Sequence, residues 1–196
     1  ATTENETDDP LADFALQEGI ECYRGSEDDV MLRVIGAAES VRAEVVVEIT
    51  GDCPIIDPQI IEQTIGMFQV NEADYVSNAH IRSYPDGMDT QVFTLETLKR
   101  SAAITDDPLD HEHVTLHIRN HPEIFSHIHL VAPPELHWPD LGLTLDEEDD
   151  YELLKKIIEH FGETNRVFSC LDTVRLLRQN KEWLEVNEHV QRKGDT

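Results

Sequence analysis

Two aspartates offer the clearest chemistry in this sequence. Asp52 closes the apolar part of the run Glu44-Val45-Val46-Val47-Glu48-Ile49-Thr50-Gly51-Asp52-Cys53-Pro54, and Asp146 follows the shorter run Leu141-Gly142-Leu143-Thr144-Leu145. Each follows an apolar, strand-like stretch and precedes a turn or a helical pattern. Val45 to Ile49 is short and β-branched, the pattern of a strand covered on both faces. Gly51 lets the backbone turn sharply, and Pro54 stops the strand. In a parallel sheet both carboxylates would lie at the carboxyl edge, where open α/β sheets bind ligands. Two acids there, with waters and substrate phosphates completing the shell, are the usual arrangement for magnesium. The competing possibility is a pair of helix N-caps, which needs no ion.

Other polar residues cluster near these ends. Arg82, Tyr84, Asp86, Asp89 and Gln91 stand on a loop entering a strand, with Tyr84-Pro85-Asp86-Gly87 as its turn. Arg82 suits bidentate pairing with a carboxylate or phosphate, although a plain surface hairpin would have the same composition. Seven of the ten histidines fall between His111 and His137, and His113, His117 and His121 are spaced to share one stripe of a helix over 110–120. Such a stripe can in principle bind zinc. With no nearby cysteine, no His-Glu-x-x-His and Pro122 at the helix end, it reads as structural, leaving His111 or His113 as substrate contacts. Glu147 to Asp150 read as a helix's first turn, where negative charge suits the dipole. The sequence contains no Gly-x-x-x-x-Gly-Lys-Ser/Thr, Gly-x-Gly-x-x-Gly or Gly-x-Ser-x-Gly motif.

The elements that must position these residues alternate. Strands are expected over 20–23, 45–49, 73–77, 91–94, 127–131 and 141–145. Helices are expected over 11–18, 27–41, 95–103, 110–120, 147–161 and 171–179, with a further one opening at 57. Asp57-Pro58 opens its helix as N-cap and first residue, and Ile60, Ile61, Ile65 and Phe68 give it an apolar face. Gly19 stops the first helix. The alternation predicts a mostly parallel sheet with helices on both faces, in a single domain over 1–196 with a polar tail at 188–196.

Composition narrows the function classes. The chain has 196 residues, 39% of them apolar, and no run near the ~20 apolar residues a membrane span requires. With 41 acidic and 15 basic residues its net charge is −26, which argues against general nucleic-acid binding. A nucleotide substrate stays open, because a divalent cation can supply positive charge locally. Cys22, Cys53 and Cys170 are scattered and form no Cys-x-x-Cys, which fits a reducing, cytoplasmic setting.

Several segments together resemble the cytidylyltransferases of acidic-sugar and spore-coat polysaccharide biosynthesis, related to the acylneuraminate and Kdo enzymes. They are Ala-Thr-Thr-Glu-Asn at 1–5, Asp-Asp-Pro-Leu-Ala at 8–12, Arg-Gly-Ser-Glu-Asp-Asp-Val at 24–30 and Ile-Thr-Gly-Asp-Cys-Pro-Ile-Ile-Asp-Pro at 49–58. Ala-Asp-Tyr-Val-Ser-Asn at 73–78, Tyr-Pro-Asp-Gly-Met-Asp at 84–89, Glu-His-Val-Thr at 112–115 and Leu-Thr-Leu-Asp at 143–146 follow in the same order. The resemblance implies a nucleotide-diphospho-sugar transferase fold, a three-layer α/β/α sandwich of Rossmann-like type. It also implies Mg2+-dependent transfer of CMP from CTP to a sugar or sugar acid, releasing pyrophosphate. On that likeness Asp52 and Asp146 are the metal-binding, catalytic pair, and Asn78, Arg82, Tyr84, Asp86, Asp89 and His113 face the sugar or nucleotide. A homodimer is a further expectation.

This chain departs from the family pattern in places. Leu32 stands where Asp is usual, Gln91 where Glu is usual, Gly142-Leu143 where Arg-Trp is common, and Glu147-Glu148 where Thr-Pro often follows the second aspartate. Relatives open with a strand and a phosphate-gripping loop that would precede Ala1, so the domain is expected to be N-terminally truncated relative to them. Two alternatives are a glycosyltransferase using a nucleotide sugar, although the Asp-x-Asp common in such enzymes is missing at the central strand, and a non-catalytic domain retained for binding or assembly.

Overall fold

The computed structural model describes residues 1–162 and 167–191. Of the polar tail expected over 188–196, residues 192–196 lie outside that part. The chain opens with β1 (Thr2–Thr3), which pairs in parallel with β2 (Arg24–Gly25) across α1 (Asp9–Glu18). Gly19 ends α1 in the left-handed conformation expected of it, with φ 67°. The expected strand over 20–23 falls instead on β2.

Helix α2 (Val30–Ser40) starts later than the 27 expected, because Asp29 is its cap. The Asp29 carboxylate accepts from the Leu32 N–H at 2.8 Å, while Ser26 Oγ accepts from the Asp29 N–H at 3.1 Å. After β3 (Val45–Glu48), Asp57 caps α3 (Pro58–Val70), accepting from the Gln59 N–H at 2.8 Å. Its second carboxylate oxygen accepts from the Cys170 N–H at 2.7 Å, so one buried side chain serves two helices.

Then follow β4 (Tyr75–Ser77), β5 (Gln91–Thr94), α4 (Leu95–Ala102), α5 (Pro108–Glu112), α6 (Leu116–Asn120), β6 (His127–His129), α7 (Glu148–Phe161) and α8 (Cys170–Gln179). The main sheet has the order β3-β5-β4-β6. Strands β3, β4 and β6 run in one direction, and β5 runs against both its neighbours. The mostly parallel direction predicted from alternation is therefore present, with a single reversed strand set inside the sheet.

Tyr75 and Phe93 project from one face of the sheet into a core with Met31, Ile35, Leu98 and Ile118, from α2, α4 and α6. Helix α3 packs on β4 and β5. A second core joins α7 and α8 to the irregular segments 84–88 and 132–143 through Tyr84, Met88, Leu143, Leu153, Ile157 and Val174.

Three expectations need correction. Strand β3 is not covered on both faces: Val45 and Val47, on one face, are 44% and 36% exposed, and among the described residues β3 pairs only with β5. Residues 141–145 form no regular strand but a single parallel bridge, Gly142 to Asp86, with Asp86 N–H donating to Leu141 O at 2.9 Å and Leu143 N–H to Asp86 O at 2.8 Å. The helix predicted over 110–120 is two helices. Buried Val114 between them has φ 49°, a strained value for a β-branched residue.

The contact between segments 84–88 and 141–144 requires a glycine. Gly87 has φ 96°, and a Cβ there would lie 2.7 Å from the Leu143 carbonyl oxygen. Gly87→Ala is expected to destabilise the fold by about 2 kcal/mol or more, read as a lower urea midpoint at unchanged m-value.

Candidate active site

The carboxyl ends of β3 and β4, the α5–α6 corner and the 144–146 segment surround a cavity of about 570 Å³. Asp52 and Asp146 both line it. What brings them together is main-chain bonding: the Leu145 N–H donates to the Asp52 carbonyl at 2.8 Å, which sets the next residue, Asp146, beside the Asp52 turn. Neither residue is a helix cap. The N-cap of α3 is Asp57, and that of α7 is Glu147. Buried Asp150 organises the start of α7 by accepting from the Asp146 and Glu147 N–H groups at 3.2 and 3.0 Å, and Asn187 Nδ2 donates to its other oxygen at 2.9 Å. The acid run therefore contributes to helix architecture, as expected.

Two carboxylates facing an open cavity are a hard-oxygen donor set that suits a divalent cation with vacant positions for water and substrate oxygens. Among the described residues no group of three or more His, Cys, Asp or Glu side chains is arranged to hold a metal. Cys53 lies beside Asp52, its thiol donating to Asp52 Oδ1 at 3.6 Å and lying 3.3 Å from Thr50 Oγ1. Burial pushes that thiol up to about 12, so it stays protonated and is not a nucleophile.

Arg82, Asp86, Asp89 and His113 also line the cavity. Arg82 is held by carboxylates: it donates to both oxygens of Asp86 at 3.3 and 3.1 Å and lies 3.5 Å from Asp89. Burial and the neighbouring Asp86 charge push the Asp89 carboxyl up to about 6, against the pull of Arg82.

Asn78 and Tyr84 are not among the cavity-lining residues. Buried Asn78 donates to the Met88 carbonyl and accepts from the Thr90 N–H, both at 2.7 Å, pinning the two ends of the 78–90 loop. Buried Tyr84 belongs to the core beneath that loop. The break between α5 and α6 also disperses the histidine stripe. His113 lines the cavity, His117 lies 3.0 Å from Ser101 Oγ, and His121 pairs with Glu123 at 2.7 Å. His111 contacts the α2 cap, Asp29, at 2.8 Å.

Sequence reasoning overlooked Glu48 and Arg119 as cavity residues. Glu48 carried a readable signal, an acid inside a β-branched run on the same side of the strand as Val46. Arg119 carried none, because its placement depends on the helix break at Val114. Gln91 Nε2 donates to Glu48 Oε2 at 3.0 Å, while the Gln91 carbonyl oxygen accepts from the Tyr75 and Thr115 hydroxyls at 2.5 and 2.6 Å. Burial raises the Glu48 carboxyl to about 7, partly offset by the Arg119 charge.

Comparison with known proteins bears on this geometry. A family model described as cytidylyltransferase matches residues 1–184. The spore coat polysaccharide biosynthesis protein SpsF of Bacillus subtilis (strain 168) is 34% identical over 185 residues, covering 93% of this chain and 75% of the relative. Uncharacterized protein MJ1063 of Methanocaldococcus jannaschii is 28% identical over 194 residues, covering 99% of this chain and 78% of its own length. The solved structure of a cytidylyltransferase from Leptospira borgpetersenii serovar Hardjo-bovis superposes with a TM-score of 0.87 at 28% identity, covering 98% of this chain and 79% of that one.

The Glu48 environment makes stability depend on pH. Its folded-state pKa lies above the unfolded value of 4.5, so the folded protein binds more protons between those values and loses stability as pH rises through them. The full cost, present above about pH 7, is about 3 kcal/mol by linkage. Glu48→Gln keeps an acceptor for Gln91 and is expected to raise the thermal midpoint at pH 8 while leaving it nearly unchanged at pH 4.5, by calorimetry at both pH values.

Proposed function

The chain belongs to the cytidylyltransferase family, and from that premise we propose that it transfers CMP from CTP to a hydroxyl of a sugar or sugar acid destined for a surface polysaccharide, with magnesium and with release of pyrophosphate. Transfer of CMP as a nucleotidyltransferase is the activity of the family. The single observation that favours placing the chemistry here is the Leu145–Asp52 main-chain bond, which gathers Asp52 and Asp146 at one wall of the cavity. The polysaccharide role draws support from the name of the Bacillus relative, a spore coat polysaccharide biosynthesis protein.

Charge explains why a cation belongs in this reading. Glu48, Asp52, Asp86, Asp89, Glu112 and Asp146 line the cavity, and a triphosphate would bring more negative charge to them. Magnesium held by Asp52 and Asp146 would neutralise charge on the triphosphate and on the departing pyrophosphate. The protein's own part is to fix the two carboxylates by backbone geometry, and to shape the acceptor side with the 78–90 loop. There Arg82 is held between Asp86 and Asp89, so the loop presents an ordered polar surface instead of a loose cation. No helix among the described residues is long and apolar enough to cross a membrane.

The test is pyrophosphate release from CTP by the complete gene product, with and without magnesium. Asp52→Asn and Asp146→Asn are each expected to lower the rate by about 10³-fold or more, on the scale of losing a principal electrostatic group. The Asp52 contact to Leu145 uses the main-chain carbonyl, so Asp52→Asn leaves the scaffold in place. Robust magnesium-dependent release by that variant would overturn the assignment.

A further inference from the structure

Glu48 is the last residue of β3, just before the turn that carries Asp52, and it lines the same cavity as Asp52 and Asp146. Its carboxylate is oriented, and the cause can be traced. The Gln91 carbonyl oxygen is engaged by two hydroxyl donors, Tyr75 on β4 and Thr115 at the α5–α6 corner, so the Gln91 amide can only turn its N–H toward Glu48. That bond takes Oε2. Oε1 receives no hydrogen bond from the described residues and is not among the sealed polar atoms, which leaves it available to accept a proton.

The other acids around the cavity have different attachments. Asp86 and Asp89 hold Arg82, Glu112 stands exposed at the end of α5, and Asp52 and Asp146 form the pair assigned above to the cation. Glu48 is the acid that is enclosed, oriented and equipped with an open oxygen. A glutamine at this position would meet the Gln91 contact equally well, so the contacts seen do not require an ionisable group.

We propose that Glu48 is the general base of the transfer, a role that rests on the cytidylyltransferase reading. The attacking sugar hydroxyl forms a bond from its oxygen to the α-phosphorus of CTP and gives its proton to Glu48 Oε1. The bond from the α-phosphorus to the oxygen bridging to the β-phosphorus breaks, and its electron pair leaves on pyrophosphate. Glu48 then returns the proton to solvent. No oxidant, reductant or further reactant is needed.

A carboxyl poised near neutrality is suited to this work, because it is largely ionised at working pH and still basic enough to draw a proton from a hydroxyl. The charged and titratable groups around it are Tyr75 on β4 and Arg119 on α6. The same cavity is also lined by Asp52, Asp146, Glu112, the Arg82–Asp86–Asp89 group, His80 and His113. Arg119 opposes the effect of burial on Glu48, and Tyr75 stays neutral because burial raises its phenol above its ordinary value.

The experiment compares pH–rate profiles of pyrophosphate release by the wild type, Glu48→Gln and Asp89→Asn, alongside CTP affinity. The wild type is expected to lose kcat along an acid limb centred near pH 7. Glu48→Gln should lose about 10²- to 10⁴-fold in kcat, hold CTP within about threefold of wild type, and show no such limb. In Asp89→Asn the limb should remain, whatever happens to the absolute rate. The calorimetric comparison above guards against misfolding, since Glu48→Gln is expected to be at least as stable as the wild type at pH 8. A Glu48→Gln enzyme within threefold of wild-type kcat, a limb that persists in it, or a limb that disappears in Asp89→Asn overturns the assignment to Glu48 alone. A wild-type protein that releases no pyrophosphate from CTP overturns the cytidylyltransferase reading and the role of Glu48 with it.

Discussion

Like charges gathered in one cavity repel, and much of this structure can be understood as the means of holding them there. The chain carries a net charge of −26, and six of its carboxylates converge on a single site. The fixings that bring them together are largely indifferent to charge. Asp52 is tied by its main-chain carbonyl to Leu145, and Asp86 by its backbone to Leu141 and Leu143, which leaves both side chains for other work. The 78–90 loop is closed by a neutral amide, Asn78, and not by an ion pair. Among the described residues the cations at this site are Arg82, beside Asp86 and Asp89, and Arg119, near Glu48. Such a site is poorly suited to a bare triphosphate and well suited to one accompanied by a divalent ion.

What the sequence made legible was local. Asp57-Pro58 opened α3 as read and Gly19 ended α1, because caps and turns are encoded within a few residues, whereas Asp52 and Asp146 meet at one cavity through the Leu145–Asp52 main-chain bond and not as two strand ends. The reversal of β5 was not legible. A four-residue strand carries no mark of direction, which is decided by the partners on either side of it. The exposure of Val45 and Val47 was hidden for a similar reason: a β-branched run looks the same at the edge of a sheet as at its centre.

The α5–α6 break shows the same limit at the site itself. Residues 110–120 have the spacing of one helix, yet burial of Val114 and the hydrogen bond from Thr115 to Gln91 turn the chain aside at a cost in backbone strain. Three histidines that would have shared a stripe are dispersed, and Arg119 is delivered to the cavity. Asn78 and Tyr84 fell in segments that resemble family pocket stretches, but one is spent on backbone groups and the other on the core. Proximity in sequence to a pocket does not decide which way a side chain points.

The departure at position 91 becomes intelligible once Glu48 is placed beside it. A glutamate at 91 could accept from Tyr75 and Thr115 as well as Gln91 does, but it would turn a second acceptor toward Glu48 instead of a donor. Two carboxylates in hydrogen-bond contact in a buried setting cannot both stay ionised, and one would be forced to hold a proton. The amide removes that conflict: it satisfies both hydroxyls with its oxygen and presents its N–H to Glu48. Gln91 and Glu48 are therefore best understood as one unit, in which the neutral residue is what allows the acidic one to remain free to exchange its proton at the edge of the cavity.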